Sequence, residues 1–406
     1  NMYYHSAQEC GTDEFTYGQS DDGNWGSLDL SGKGTLDATS CRADNLWGMA
    51  FRNINSASSI IENGEKANLD ASLLAEARFF RAFYYFKLVQ TFGGVPLDLG
   101  SGDLKSNSST SRTSVRNTVP EVYKAIFDDM EKAVSDLPET PRCSGSVSKN
   151  TARLFLSKAY LTFAWWLENP KGIDTYPACD RKDINGKSAS QYFQMAYDTA
   201  MEGINNPGPY ALMPTYRDAF LAENDRSNTE YLLVADHTES DGFYNGGDLG
   251  YAGGGGTEDT TVWAFTWNYC NIIAFEDKAG NGGFNAVARE AAQSYGRPWT
   301  RTCPTQNGLE YFTERDKDSR FDASFVTACY GNWQRNGKPE LEAVLMALLR
   351  ERARITRHEQ VRDRPAEVRE EPLRLVHAAD DDAREDRQVR REVVAAALPE
   401  LALKSL

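Results

Sequence analysis

The chain has 406 residues, a formal net charge of −15 and an aromatic content of 11%. Its length allows one large domain or two, and its acidic balance argues against a nucleic-acid partner and against binding to anionic lipid surfaces. No apolar run approaches the roughly 20 residues that a membrane-spanning helix needs. These properties suit a soluble, exposed protein with a neutral or weakly polar ligand.

Residues 1–40 are rich in Gly, Asp and aromatic residues and lack helical periodicity, which predicts a long loop region. Candidate surface aromatics there are Tyr3, Tyr4, Tyr17 and Trp25. Taken singly, each of them is expected to pack over the helices that follow. No leader sequence precedes Asn1, so we expect a mature form or a fragment.

The first predicted helix covers residues 44–63. Its apolar residues recur every three or four positions, the spacing of one buried helix face; they are Trp47, Ala50 or Phe51, Ile54, Ala57 and Ile61. Asp44 can cap its first turn, and Gly64 is expected to end it.

The second predicted helix contains the stretch AEARFFRAFYYFKLVQTF, which begins at Ala75. Its apolar residues cover most sides, which predicts burial on most sides. Gly93 and Gly94 are expected to supply a left-handed C-terminal cap, and Pro96 prevents continuation. The first two helices should form an antiparallel hairpin.

A second hairpin and a further helix follow. Thr118 and Glu121 form a capping box with Pro in the first turn, and the partner helix covers about residues 150–167. The inward-facing residues of the pair are Val122, Ile126, Ala133 and Leu137, then Ala152, Leu156, Ala159, Tyr160 and Phe163. A fifth helix is predicted over residues 189–204, with an inner face of Phe193, Ala196, Ala200 and Ile204.

Repeated helix pairs with small residues at their crossings predict a tetratricopeptide-like solenoid. Each pair needs a neighbour to cover its apolar face, so the pairs should share one continuous core. After residue 205 the helical periodicity fades and Gly, aromatic and polar residues dominate. The predicted fold is therefore mostly α, with loop-rich irregular insertions on a helical-repeat scaffold.

The stretch AEARFFRAFYYFKLVQTFGGVPL closely resembles the signature helix of the SusD/RagB family. The match includes Glu76, Arg78, Arg81, Ala82, Tyr84, Tyr85, Phe92, Gly93, Gly94, Val95, Pro96 and Leu97. The phrases SRTSVRNTVPEVYKAIFDDMEKAVSDLP and SKNTARLFLSKAYLTF resemble the second hairpin of the family. The resemblance implies the same tetratricopeptide-like fold.

Two later segments also resemble the family. Residues 230–235, EYLLVA, are expected to form a short strand. Asp316, Asp318 and Arg320 follow a D-x-D-x-R pattern, which we interpret as an internal salt-bridge cluster; the spacing fails as an EF-hand loop.

The last segment, residues 339–406, differs from the rest, because it contains no Gly, Asn, Cys, Phe, Tyr or Trp. We therefore expect two regions: a SusD-like domain over residues 1–338, incomplete at both ends, and an atypical charged C-terminal tail over 339–406. An out-of-frame or foreign origin would account for the tail.

No catalytic constellation stands out. The sequence has no G-x-S-x-G elbow, no H-E-x-x-H and no P-loop. The seven cysteines form no CxxC pair and show no zinc-like spacing with histidine. We therefore predict no catalytic residue, no cofactor and no metal, although abundant carboxylates leave a glycosidase pair open.

The aromatic residues of the Gly-rich region are the better lead. A sugar ring has an apolar face that Trp or Tyr can cover and a hydroxyl edge that Asp, Asn and Arg can bond. Loops on a rigid scaffold are where such a site is expected. The candidate ligand-binding residues are Trp263, Trp267, Trp299, Tyr244, Tyr251, Asp241, Asn268 and Arg297. Inward packing of alternating aromatics on a strand is the alternative interpretation.

The resemblance implies a lipoprotein on the outer face of a Gram-negative outer membrane. It further implies capture of oligosaccharides, or less often peptides, without catalysis, and delivery to a SusC-like TonB-dependent transporter. Membrane attachment would come only through an N-terminal lipid anchor outside this chain, and Cys10 lacks a lipobox context. Two alternatives are an intracellular helical-repeat adaptor that binds peptides and a glycoside hydrolase.

Overall fold

The computed structural model describes residues 9–17, 43–110, 114–143, 145–234, 273–274, 284–285, 302–315, 317–325, 334–335 and 338–339. The chain divides into two compact units, residues 42–238 and residues 1–41 with 239–406. We call them the helical unit and the split unit. Among the described residues, no helix combines the length and apolar character needed to cross a membrane.

The described part of the helical unit consists of antiparallel α-helices. They are α1 (Asp44–Lys66), α2 (Ala71–Phe92), α3 (Val119–Asp136), α4 (Lys149–Glu168) and α5 (Ala189–Asn205), followed by 3-10 turns at Arg217–Phe220 and Ala222–Asn224. Each α-helix packs on the next along the chain. The ring centroids of Trp47, near the start of α1, and Phe92, at the end of α2, lie 5.1 Å apart. The predicted helix pairs are confirmed.

The ends of α1 differ from the prediction. Ala43 occupies the N-cap, so Asp44 is the first helical residue rather than the cap, and the helix continues past Gly64 to Lys66. A Cβ atom on Gly64 would lie 2.6 Å from Leu74 Cδ2. Gly64 therefore permits close packing of α2 on α1 and does not end the helix.

The end of α2 lies at Phe92, as predicted. Gly93 has φ +72° and ψ −138°, so its φ is positive, but its backbone is not in the left-handed helical region that the sequence indicated. The reason is a contact from a distant segment: the adjacent Gly94 N–H donates a 2.7 Å hydrogen bond to the Tyr176 carbonyl.

The core follows the predicted faces closely. On α2 the buried residues lie around most of the helix: Ala75, Ala77, Phe79, Arg81, Ala82, Tyr85, Phe86, Leu88 and Val89. The Thr118–Glu121 capping box is present. All predicted inward-facing residues of the second pair are buried: Val122, Ile126, Ala133, Leu137, Ala152, Leu156, Ala159, Tyr160 and Phe163.

The predicted inner face of α5 is wrong at its last residue. Ile204 is 67% exposed, whereas Tyr192 and Ala196 are buried. The Tyr192 ring lies among Phe127, Tyr160 and Phe163, with its centroid 5.0 Å from that of Phe163. Ile204 lies in the last turn of α5, where it points to solvent.

A buried ion pair joins α2 to α3. Arg81 Nε donates to Asp129 Oδ2 at 2.6 Å and its Nη2 donates to Oδ1 at 2.8 Å. Its Nη1 donates to Ser58 Oγ of α1 and to the Leu104 carbonyl. Arg78 adds a third donor to Asp129 at 3.2 Å. The network pairs the buried charges of Arg81 and Asp129, which would destabilise the core if they were left unpaired.

The predicted strand at residues 230–235 is not found in its described part, since 230–234 form bends and irregular backbone. The Asn228 side-chain carbonyl accepts hydrogen bonds from the N–H groups of Glu230 and Tyr231, which curls the segment. Position 235 lies outside the described residues.

The described parts of the split unit are short. Strand β1 (Phe15–Tyr17) pairs antiparallel with β4 (Thr302–Pro304), so the predicted N-terminal loop contains one strand. Two further antiparallel pairs join β2 (Ile273–Ala274) to β3 (Phe284–Asn285) and β5 (Gln334–Arg335) to β6 (Lys338–Pro339). The short helices are α6 (Gln306–Glu310) and α7 (Ser319–Ser324).

The D-x-D-x-R segment forms part of the predicted salt-bridge cluster. Arg320 Nη2 lies 2.6 Å from Asp318 Oδ2, and this bond holds the pKa of Asp318 below its ordinary value. Asp316 and residues 340–406 of the predicted tail lie outside the described residues. The boundary at residue 338 stays a prediction.

Candidate functional site

The predicted ligand site falls in the part of the chain that the structure does not describe. All eight residues lie there: Asp241, Tyr244, Tyr251, Trp263, Trp267, Asn268, Arg297 and Trp299. Tyr3, Tyr4 and Trp25 also lie outside, and Tyr17 belongs to β1. The predicted site therefore stays a prediction.

A second group of aromatic residues lies at one end of the helical unit, where α1, α3 and α5 begin and α2 and α4 end. It combines rings with two guanidinium groups, and we call it the arginine–aromatic end: Trp47, Phe92, Arg116, Trp166, Tyr176 and Arg181. Tyr176 is 66% exposed, and the other five side chains are half-buried.

The loop that carries Tyr176, residues 169–188, is held at several points along its backbone. Asn169 adopts a left-handed conformation after α4, and its side chain bonds both the N–H and the carbonyl of Ile173. Further along, Asp183 accepts the N–H of Lys187 at 2.9 Å and the Tyr192 hydroxyl at 3.0 Å. The loop therefore presents its exposed side chains from a fixed backbone.

The end of α2 fixes the middle of this loop. Gly94 donates to the Tyr176 carbonyl at 2.7 Å, next to the cis Tyr176–Pro177 bond. A Cβ atom on Gly94 would lie 2.0 Å from the Asn117 carbonyl oxygen and 2.6 Å from Pro177 Cδ. Only glycine allows this approach, so the Gly93-Gly94 signature serves a tertiary contact as well as the helix end.

Arg116 lies between two rings. Its Cζ atom is 4.7 Å from the Tyr176 ring centroid and 5.7 Å from that of Trp47. Nη1 donates to the Phe92 carbonyl at 3.1 Å. A guanidinium over an aromatic ring is held by the ring quadrupole, so Arg116 is oriented without a carboxylate from the described part of the chain.

Arg181 repeats the arrangement at the end of α4. Its Cζ atom is 4.6 Å from the Trp166 ring centroid, and its Nη groups donate to the carbonyls of Trp166 and Ile173. The Trp166 ring stacks on the buried Phe163 ring at 5.5 Å with an interplanar angle of 8°. The stack of Arg181, Trp166 and Phe163 is thus anchored in the core.

The electrostatics of this end are unusual for an acidic protein. No described carboxylate lies within 4.0 Å of the guanidinium of Arg116 or Arg181. Asp174 and Asp180 belong to the same loop; Asp180 pairs with Lys182 at 2.9 Å, and Asp174 is exposed.

The hydrogen bond from Tyr192 to Asp183 is also supported by electrostatics. Burial raises the pKa of the Tyr192 hydroxyl, and the bond to Asp183 raises it further, so the hydroxyl remains a donor.

Sequence reasoning missed Arg116, Tyr176 and Arg181. The signature motif indicated Phe92, Gly93 and Gly94, but the loop that packs on them lies about eighty residues further along the chain. A Tyr-Pro pair in a polar segment is the single local signal, and it does not reveal an exposed ring. Within the described ranges, no cluster of three or more His, Cys, Asp and Glu side chains is placed to hold a metal ion.

Part of the chain is similar to proteins of a known family. Residues 10–161 match a SusD-like family model described as "Starch-binding associating with outer membrane". The matched part of the chain includes α1, α2, α3 and most of α4. SusD-like protein P2 of Formosa agariphila is 31% identical over 199 residues, which are 47% of this chain and 33% of the relative. The family resemblance that the signature helix indicated is confirmed.

Solved structures show the same fold. A laminarin-binding SusD-like protein superposes with a TM-score of 0.54 at 19% identity, covering 82% of this chain and 65% of that one. A SusD superfamily protein from Parabacteroides distasonis superposes with a TM-score of 0.50 at 20% identity, covering 78% of this chain and 56% of that one. The predicted tetratricopeptide-like fold is confirmed. The chain spans about a third of the curated relative and less than two thirds of both solved structures.

Proposed function

We propose that this SusD-like chain is a cell-surface glycan-binding protein that captures oligosaccharides and delivers them to a SusC-like TonB-dependent transporter. The observation that carries the proposal is the match of residues 10–161 to a starch-binding, outer-membrane-associated family. The laminarin-binding neighbour of the same fold supports a carbohydrate as ligand.

The geometry of the helical unit supports binding rather than catalysis. Its helices form a packed base, and the 169–188 loop is hydrogen-bonded to that base while the Tyr176 ring stays exposed. A fixed ring beside hydrogen-bond donors is what recognition of a sugar needs, because stacking and bonding to hydroxyls involve no bond breaking. Uptake would be driven by the transporter, so reversible binding is sufficient.

The main ligand site belongs, in this proposal, to the aromatic region after the helices. Stacking platforms would come from Trp263, Trp267 and Trp299, with Tyr244 and Tyr251 as secondary rings, and hydrogen bonds from Asp241, Asn268 and Arg297. The density of aromatics among Gly, Asp and Asn residues supports this placement.

Tryptophan substitution tests the site. Trp263→Ala, Trp267→Ala and Trp299→Ala are compared with the parent chain by melting and by isothermal titration against a glycan found on an array. Loss of a platform should weaken binding roughly ten- to hundred-fold, by analogy with aromatic hot spots, and leave the melting midpoint nearly unchanged. Tyr197→Ala, an exposed ring 62% accessible on α5, is the control and should bind as the parent does.

Two results would contradict the proposal. If the parent chain binds no oligosaccharide on the array, glycan capture is wrong. If the three tryptophan variants all bind as the control does, the ligand site lies elsewhere.

The location and the partner complete the proposal. A lipid anchor upstream would hold the protein at the outer face of a Gram-negative outer membrane, which agrees with the family description. Co-purification of the intact lipoprotein with a TonB-dependent transporter from outer-membrane extracts tests the partner. Recovery of the protein alone under mild detergent would contradict a stable complex.

A further inference from the structure

We infer that the arginine–aromatic end is a second sugar-binding subsite, selective for oligosaccharides with anionic substituents, either carboxylate or sulfate. The inference rests on the proposed glycan-binding function and adds a ligand class to it. It is carried by Tyr176, Arg116 and Arg181.

The unused hydrogen-bond donors point to a ligand. A guanidinium has five N–H donors. Arg116 uses one of them, toward the Phe92 carbonyl, so four have no acceptor within the described residues. Arg81, by contrast, makes four hydrogen bonds in the core. Arg116 is therefore oriented by the rings beside it while most of its bonding capacity is available.

The exposed ring supplies the second requirement. Tyr176 is 66% exposed, although its own carbonyl is fixed by Gly94. Arg116 lies over the Tyr176 ring with its Cζ atom 4.7 Å from the centroid. A flat ring whose backbone is already ordered loses little conformational entropy when a sugar stacks on it. The adjacent guanidinium can then bond a charged group on the same sugar or on the next one.

The chemistry of the donors selects the charge. Arginine forms shorter and stronger bonds to carboxylate and sulfate-like oxygens than to neutral hydroxyls. The two guanidinium groups flank one segment, since Arg116 contacts Tyr176 and Arg181 donates to the Ile173 carbonyl. The net charge of −15 favours a neutral ligand for the chain as a whole, but within this end two cations lack carboxylate partners among the described residues.

The test uses the full chain and four tetrasaccharides. Tetragalacturonate carries carboxylates, its methyl ester is the neutral form of the same sugar, a sulfated carrageenan tetrasaccharide carries sulfate, and maltotetraose is neutral. Titration calorimetry at low salt should give affinity for one or both charged probes at least about tenfold higher than for the methyl ester, which corresponds to ~1.4 kcal/mol. The charged probe that binds better identifies carboxylate or sulfate as the preferred group.

Variants locate the effect. Arg116→Gln, Arg181→Gln and Tyr176→Ala should each weaken binding of the preferred charged probe by about tenfold or more. Tyr176→Phe retains the ring and should retain most of the binding, whereas Arg116→Lys keeps the charge but loses the planar set of donors and should bind more weakly than the parent chain. Arg142→Gln is the matched control, because Arg142 is exposed at the opposite end of the helices and pairs with Glu76 at 3.1 Å. Melting midpoints of all variants report whether the loop is intact.

The outcomes separate this inference from the proposed function. Binding of neutral glycans without any preference for charged ones leaves glycan capture in place and overturns the anionic subsite. A preference for charged probes that Arg116→Gln and Arg181→Gln change no more than Arg142→Gln also overturns it. Failure to bind any of the four probes or any glycan on the array overturns both proposals.

Discussion

The helical unit uses arginine in two opposite ways. In the core, Arg81 is 5% exposed and makes four hydrogen bonds, two of them to Asp129. At the arginine–aromatic end, Arg116 makes one hydrogen bond within the described residues and lies over the Tyr176 ring. Both side chains carry the same guanidinium group with the same five donors, so the difference lies in the acceptors that the fold brings to each.

This difference separates a structural role from a binding role. A buried guanidinium must find acceptors within the protein, because an unpaired charge in the core is strongly destabilising. A half-buried guanidinium on a ring keeps contact with water and can exchange that water for a ligand. The number of internal hydrogen bonds therefore indicates which arginines the fold needs and which it leaves available.

Removal of Asp129 should have the largest effect. Asp129→Ala leaves Arg81 and its charge buried without their carboxylate, which we expect to lower the free energy of unfolding by about 3–5 kcal/mol. Replacing both partners, as Arg81→Met with Asp129→Leu, should recover much of the loss, because two apolar side chains need no acceptors. Urea unfolding followed by circular dichroism measures both. A loss below about 1 kcal/mol for Asp129→Ala would contradict the core role.

The second-largest effect on stability is expected from Gly94, the glycine that holds the loop. Gly94→Ala puts a Cβ atom 2.0 Å from the Asn117 carbonyl oxygen, and such overpacking costs about 1–3 kcal/mol. Gly48→Ala is the matched control, since nothing lies within 4 Å of its Cβ position in α1, and alanine should stabilise the helix by up to about 1 kcal/mol. Thermal melts should therefore shift in opposite directions. Equal shifts would show that the loop adapts and that Tyr176 is not fixed.

Arg116 should matter far less for stability than Arg81. Arg116→Gln removes one hydrogen bond and a ring contact from a half-buried side chain, so the free energy of unfolding should fall by less than about 1 kcal/mol. Urea unfolding of Arg116→Gln and Asp129→Ala side by side compares the two losses in free energy of unfolding directly. A loss as large as that of Asp129→Ala would make Arg116 a structural residue and remove the contrast.

The smallest effect concerns an exposed pair in the split unit. The side-chain bond from Arg320, followed by the Arg320 N–H, holds the pKa of Asp318 below its ordinary value. Because the pKa is lowered in the folded state, the pair stabilises the fold at pH values above the unfolded-state pKa. This contribution is lost as the pH falls through the folded-state pKa. In Arg320→Gln, the NMR titration midpoint of the Asp318 carboxyl should rise toward the ordinary value. An unchanged midpoint would show that the backbone bond alone lowers it.

The helices could be read from the sequence because their signals are local. The Thr118–Glu121 capping box, the end of α2 at Gly93 and the inward faces of α3 and α4 all depend on residues within a few turns of one another. The family also followed from one unbroken stretch of sequence, since the signature residues mark both the burial of α2 and its end.

The rest depended on residues far apart in the chain. Gly94 donates to the carbonyl of Tyr176 in a distant loop, and Tyr192 of α5 packs against Phe127 of α3. The sequence pattern does not show that Arg81 pairs with Asp129 or that Arg116 lies over Tyr176, because these partners are about fifty and sixty residues away, respectively. Local preferences select helices and turns, whereas burial and charge pairing depend on which distant segments meet, and that is settled by the packing of the whole unit.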